Sequence, residues 1–149
     1  MTERTSLNTV IPDGYRKLIA LDSYIGANIE EPIKDLVYLR ASLINGCNYC
    51  VHEHSVDLQA GGMPVRKIFT VTTWRESSFF DERERMALEL TDAITNIAGG
   101  VSDQLWERAH TVFSEKQVAD LILAIGTIAI WNRIGISTHL PTAPLDERD

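Results

Sequence analysis

Apolar residues recur along this chain at helical intervals, and nowhere do they alternate in the two-residue period of a half-buried strand flanked by hairpin signals. After Pro12, residues Tyr15, Leu18, Ile19, Leu21, Tyr24 and Ile25 form a stripe that fades at Gly26. A second stripe begins at Glu31-Pro32, where a first-turn proline loses no needed N–H, and runs through Ile33, Leu36, Val37, Leu39, Leu43 and Ile44 to a break at Asn45-Gly46. A third helix is expected from about Cys47 to Ala60, closed by Gly61-Gly62. Pro64 opens a shorter segment to Trp74 whose β-branched residues weaken its helical character.

Two capping boxes mark later starts. Asp81 with Glu84 precedes the stripe Met86, Leu88, Leu90, Ile94 and Ile97, which stops at Gly99-Gly100. Ser114 with Gln117 precedes a long apolar run from Val118 to Ile136. Between them Ser102 can cap a short helix holding Leu105, Trp106, Ala109 and Val112. The pattern predicts an all-α bundle of about six or seven helices, with the last one mostly buried.

Length and charge narrow what such a bundle does. A chain of 149 residues is the size of one domain, 1–149, and can bury a core without disulfide help. The formal charge of -7 repels phosphates, so neither a nucleic acid nor an anionic membrane is an expected partner. The apolar run from Leu121 to Trp131 is shorter than the ~20 residues of a bilayer span. The opening MTERTSLNTVIPDGYRKL lacks the apolar centre of a secretory signal, so a cytoplasmic location is expected. The closing PTAPLDERD, 141–149, reads as a flexible tail or an arm onto a neighbouring subunit.

The chemistry-bearing residues are concentrated in NGCNYCVHEHS, from Asn45 to Ser55, which holds both cysteines and two of the four histidines. On a helix, residues three, four and seven apart share a face, which groups Cys47, Cys50 and His54 and leaves His52 pointing elsewhere. Three readings of the cluster follow. A thiol of pKa ~8.5 can be activated by a helix N-terminus and a nearby imidazole, and a second thiol three residues away can close a disulfide on the oxidised sulfur. Zinc could use Cys47, Cys50 and His54 with His52 or Glu53, although no second Cys/His cluster completes a two-knuckle site. Buried helix cysteines can also serve only as small hydrophobes. His110 and His139 read as surface or locally satisfied imidazoles, the tryptophans at 74, 106 and 131 as core or subunit contacts, and DERERMALE as a solvated helix face.

From Lys34 to Asp57, KDLVYLRASLINGCNYCVHEHSVD resembles the core of the AhpD-like alkylhydroperoxidases within the carboxymuconolactone decarboxylase superfamily. That pattern has an acidic residue twelve positions before C-x-x-C-x-x-x-H, with L-R and N-G between them. Asp35, Leu39-Arg40, Asn45-Gly46, Cys47, Cys50 and His54 match it. Gly61, TTWRESSFFDERERMAL and IWNRIGI resemble the family's downstream signatures. The resemblance implies an all-helical AhpD-like domain with its redox core at 31–62 and activity as a thiol-dependent peroxidase. Cys50 would be the peroxidatic cysteine, Cys47 its disulfide partner, His54 the proton relay and Asp35 the acid behind it. It implies a peroxide substrate, no bound organic cofactor or metal, and an external dithiol reductant such as a lipoyl-bearing or thioredoxin-like protein. It also implies a homo-oligomer.

Two positions depart from the pattern. Asp35 stands where glutamate is usual, so its contact with the histidine is expected to be lengthened or bridged by water. Tyr49 stands where some members carry a histidine. Three other functions compete with the peroxidase. One is decarboxylation of a γ-carboxymuconolactone-like acid, which needs acid–base groups and an anion pocket rather than a thiol couple. The others are a non-enzymatic dithiol redox sensor and a zinc-bound structural protein.

Overall fold

The computed structural model describes residues 2–145, and among them it contains eight α-helices and no strand. They are α1 (Leu7–Val10), α2 (Pro12–Asn28), α3 (Ile33–Asn45), α4 (Asn48–Ala60), α5 (Val65–Phe69), α6 (Glu82–Thr95), α7 (Asp103–Val112) and α8 (Glu115–Thr138). The all-α class follows the hydrophobic periodicity. The additional helix is α1, a single turn with no buried residue, which leaves no apolar stripe to read. Pro12 occupies the first turn of α2, and that helix continues through Gly26 to Asn28. The β-branched run Thr70–Thr73 tightens into a 3-10 turn after α5, and a second 3-10 turn at Ile97–Gly99 follows α6. Both capping boxes form, at Asp81/Glu84 and Ser114/Gln117.

Helix α3 lies at the centre and is buried on nearly every side. Val37, Tyr38 and Ala41 face a cluster built with Ile25 of α2, Met86 and Leu90 of α6, and Leu121, Ile125 and Ile128 of α8. Leu36 and Leu39 face a second cluster with Leu58, Met63, Val71, Trp74 and Phe80. Because α3 contributes to both, its N-terminal and C-terminal ends are held rigidly, and the site is built at those ends.

Helix α8 is less buried than its composition suggests. Its 24 residues include an 18-residue window of mean hydropathy 1.5, long and apolar enough by those measures to cross a membrane. One face packs inward through Val118, Leu121, Ala124, Ile125, Ile128 and the wholly buried Asn132, while Ile122, Leu123, Ile130 and Ile136 remain exposed. The run DERERMALE is also only partly a solvated face. Glu84 is buried and accepts from Lys67 Nζ at 2.5 and 2.7 Å, besides closing its capping box. At the tail, residues 141–145 have no regular structure and 146–149 lie outside the described residues.

Candidate active site

Gly46 ends α3 in the left-handed conformation (φ 73°), a geometry that favours glycine, and this turn delivers Cys47 to the start of α4. The Gly46 and Cys47 amides both donate to the Ser42 carbonyl, at 2.9 and 3.1 Å. Asn132 of α8 fixes the same corner from across the bundle. Its Nδ2 donates to Ser42 Oγ at 2.9 Å and its Oδ1 accepts from Asn45 Nδ2 at 2.9 Å. Cys47 is not a helical residue but the N-cap of α4, its sulfur accepting from the Cys50 amide at 3.4 Å. Cys50 lies in the first turn, so both sulfurs sit in the positive field of the helix N-terminus. They are joined as a disulfide with Cα atoms 5.4 Å apart, and the two residues are only 1% and 3% exposed. Gly135 lets α8 pass directly over them: a methyl group at that position would lie 2.9 Å from the Cys47 sulfur.

The two cysteines border different cavities. Cys50 and His54 share the wall of one of about 330 Å³, with Tyr15, Ile19, Tyr38, Tyr49, Trp131 and Leu140 as its apolar and aromatic lining. Its charged lining residues are Asp22, Glu53 and Asp57, with no lysine or arginine among the described residues there. Cys47 borders a second cavity of about 380 Å³, with Gly135, Ile136, His139 and Leu140.

Behind His54 stands Asp35, in the first turn of α3 and 6% exposed. His54 Nδ1 lies 3.4 Å from Asp35 Oδ1, within ion-pair range but outside hydrogen-bond alignment, so both buried atoms are without a hydrogen-bond partner. Lys34 Nζ is also 3.4 Å from that oxygen and 2.8 Å from Glu31 Oε1. Burial pushes the Asp35 carboxyl up, but neighbouring His54 and Lys34 outweigh it and hold the carboxyl below its ordinary value. Tyr38 packs edge-on against the His54 ring, with centroids 4.9 Å apart, and donates to Asp22 Oδ1 at 2.7 Å. Burial, then the Asp22 carboxylate, drive its phenol far up, so it stays protonated. His52 contacts Glu53 instead, at 2.9 Å, and does not line the cavity.

The chain that carries this site has counterparts among known proteins. Residues 12–93 match the carboxymuconolactone decarboxylase family. This chain is a member of that family. It is 32% identical over 139 residues to the uncharacterized protein YdfG of Bacillus subtilis, covering 92% of this chain and 95% of the relative. A solved structure from Agrobacterium tumefaciens, of unknown function and provisionally described as the antioxidant defence protein AhpD, superposes with a TM-score of 0.92. It has 32% identity and covers 97% of this chain and 100% of its own. The debrominase Bmp8, solved with 2,3,4-tribromopyrrole, shares the fold at a TM-score of 0.80 and 19% identity, over 91% of this chain and 73% of its own. This family member is thus AhpD-like in fold.

Within this AhpD-like protein the downstream signatures divide between framework and cavity. Arg40 of the L-R pair donates from Nε to Asp92 Oδ1 at 2.5 Å, Trp74 Nε1 donates to Asp92 Oδ2 at 3.2 Å, and Arg75 pairs with the same carboxylate. Arg85 donates to three carbonyls of the 74–77 turn. Burial raises the Asp92 carboxyl, but Arg40 and Arg75 outweigh it and hold the group below its ordinary value. The stabilisation from this network is therefore complete above the unfolded carboxylate pKa of ~3.9 and is lost as pH falls through the lower folded value. Asp92→Asn is expected to unfold at lower temperature at pH 7, with the gap from wild type narrowing as pH is lowered from about 5 to 3. A gap independent of pH in thermal melts would contradict the assignment.

Trp131 is a cavity residue as well as a packing one, its ring 5.7 Å from that of Tyr15 and edge-on to it. Trp74 is buried in the core, while Trp106 is half exposed and lies beside His110, whose Nδ1 contacts the Trp106 carbonyl at 2.9 Å. Sequence places Tyr15 only in an apolar stripe and does not single out Tyr38, Asp57 or Gly135. The one available signal was that IWNRIGI carries Trp131, Asn132 and Gly135 in adjacent turns.

Proposed function

We propose that this protein is a thiol-dependent peroxidase that reduces organic or hydrogen peroxides through the Cys47–Cys50 couple. The carrying observation is that Cys50, in the first turn of α4, opens with His54 onto a cavity walled by Tyr15, Tyr38, Tyr49 and Trp131, in which Asp22, Glu53 and Asp57 meet no lysine or arginine among the described residues. A neutral hydroperoxide with an apolar body suits that lining. An anionic lactone acid, the substrate of the decarboxylation alternative, would meet Asp22, Glu53 and Asp57, with no lysine or arginine among the described lining residues and His54 alone to pair with.

The cycle starts from the reduced dithiol. His54, with Nδ1 turned towards Asp35, takes the Cys50 proton at Nε2, and the helix N-terminus stabilises the thiolate. The Cys50 sulfur attacks the terminal peroxide oxygen, the O–O bond breaks, and the leaving alkoxide takes a proton that Cys47 helps to supply. Cys50 is now a sulfenic acid. The Cys47 thiolate attacks its sulfur, the S–O bond breaks, His54 returns its proton to the departing hydroxide, which leaves as water, and the disulfide closes. An external dithiol, lipoyl-bearing or thioredoxin-like, then attacks the disulfide and is itself oxidised to a disulfide, returning both thiols. The cavity beside Cys47 gives that reductant an approach separate from the peroxide cavity.

The exposed Ile122, Leu123, Ile130 and Ile136 on α8 favour a homo-oligomer, and a reducing cytoplasm is the compartment in which the couple can turn over. The test is stoichiometric. Reduced protein mixed with cumene hydroperoxide should lose two thiols per peroxide consumed and form the intramolecular disulfide, read by thiol titration and intact mass. Peroxide loss without thiol loss, or thiol loss without peroxide loss, would refute it.

A further inference from the structure

Around Nδ1 of the His54 ring three side chains converge that the peroxidase cycle does not use together: Asp35, His54 and Asp57. Their donor atoms all lie within 4.8 Å of one another. His54 Nδ1 is 3.4 Å from Asp35 Oδ1 and 3.8 Å from Asp57 Oδ2. A zinc ion with bonds of ~2.0–2.2 Å in tetrahedral geometry separates its ligand atoms by about 3.3–3.6 Å. The first distance already fits and the second is slightly long, and Asp57, whose side chain is 58% exposed, is free to swing. Two of the three donors, Asp35 Oδ1 and His54 Nδ1, are buried and lack a hydrogen-bond partner, an arrangement that is costly unless another group satisfies them.

We propose that Asp35, His54 and Asp57 bind a divalent zinc ion, and that the bound ion switches off His54 as the base for Cys50. One imidazole nitrogen with two carboxylate oxygens is a zinc donor set, with water as fourth ligand, whereas magnesium and calcium prefer oxygen alone. The ion has an entry path. Asp35 and Asp57 also line a cleft of about 610 Å³ that carries Glu31 and Glu84 as well, four carboxylates against Lys34 and Lys67. Lys34 Nζ stands 3.4 Å from Asp35 Oδ1 and would have to yield to the ion, for which its 2.8 Å contact with Glu31 offers the remaining partner.

The inhibition follows from proton inventory. Zinc uses the Nδ1 lone pair, so the neutral ring must carry its proton on Nε2, and that nitrogen can no longer accept one from the thiol. The inhibitory half rests on the peroxidase reading of His54; the binding half does not.

The test uses the full-length, tag-free protein in its Cys47–Cys50 disulfide form, in which the thiols cannot ligate metal. Calorimetric titration with zinc chloride should show one site, at least about tenfold weaker in both Asp57→Asn and His54→Gln. Imidazole ¹⁵N resonances should show the His54 Nδ1 signal, rather than those of His52, His110 or His139, moving on zinc addition. Undiminished affinity in Asp57→Asn, or a zinc response confined to the other histidines, would overturn the site. In the reduced protein, zinc should slow thiol oxidation by hydroperoxide more in wild type than in Asp57→Asn, which retains both thiols. Equal slowing would overturn the inhibitory role while leaving the peroxidase reading untouched.

Discussion

Cys50→Ser is expected to abolish peroxide consumption outright, whereas Cys47→Ser makes one attack and then stalls or over-oxidises. The asymmetry comes from position. Cys50 shares a cavity with His54, while Cys47 borders a different cavity and is crowded by α8 at Gly135. In Cys50→Ser the remaining thiol lies outside the cavity of His54, in one whose imidazole is His139 with no acid among its described lining residues, and serine at 50 is no substitute, since an alcohol attacks a peroxide far less readily than a thiolate. In Cys47→Ser the attack proceeds but nothing closes on the sulfenic acid. Intact mass should show a gain of one oxygen atom, then a second as excess peroxide drives the sulfur to sulfinic acid. Neither result can be blamed on lost folding. Cys47 is an N-cap, a position where serine is among the strongest residues, and Cys50→Ser changes one buried atom. Peroxide consumption in Cys50→Ser equal to that of wild type would reverse the role assignment.

The second large effect is on the proton. His54→Gln should slow single-turnover thiol oxidation at pH 7 by about 10²–10⁴-fold, the range for loss of a positioned base. The variant should recover with rising pH, because a thiol of pKa ~8.5 then ionises without help, while the wild-type rate should be flatter over the same range. Stopped-flow oxidation from pH 6 to 9.5 separates the two cases, and a uniform loss at every pH would mean that His54 only shapes the cavity. Asp35 acts on this step through the imidazole, so its effect should be smaller than that of His54. At 3.4 Å its oxygen is too far for a good hydrogen bond, and Asp35→Glu, which restores a methylene, is expected to keep or raise the rate.

Most of the helical framework could be read along the chain because its causes are local. The capping boxes at Asp81/Glu84 and Ser114/Gln117 and the break at Asn45-Gly46 each depend on residues within one helical turn. The three-residue spacing of the cysteines and the four-residue step to His54 are likewise properties of a single helix. Where the reading went astray, a contact from elsewhere intervened. Lys67 reaches from α5 to bury Glu84 in a run that looked solvated.

By itself, the sequence determined the all-α class, the helix ends around the cysteines and Cys47, Cys50 and His54 as candidates, since periodicity, caps and short spacings are written within a few residues, while Asp35 was marked only by the resemblance to the family pattern. Only the tertiary structure decided that Tyr15, Tyr38 and Trp131 enclose the Cys50 side. It also decided that Gly135 lies against Cys47, and that Asp57 joins Asp35 at His54 Nδ1. Those juxtapositions depend on the angles at which α2, α3, α4 and α8 cross, and a crossing angle is set by the packing of whole helix faces, which no short stretch of chain contains.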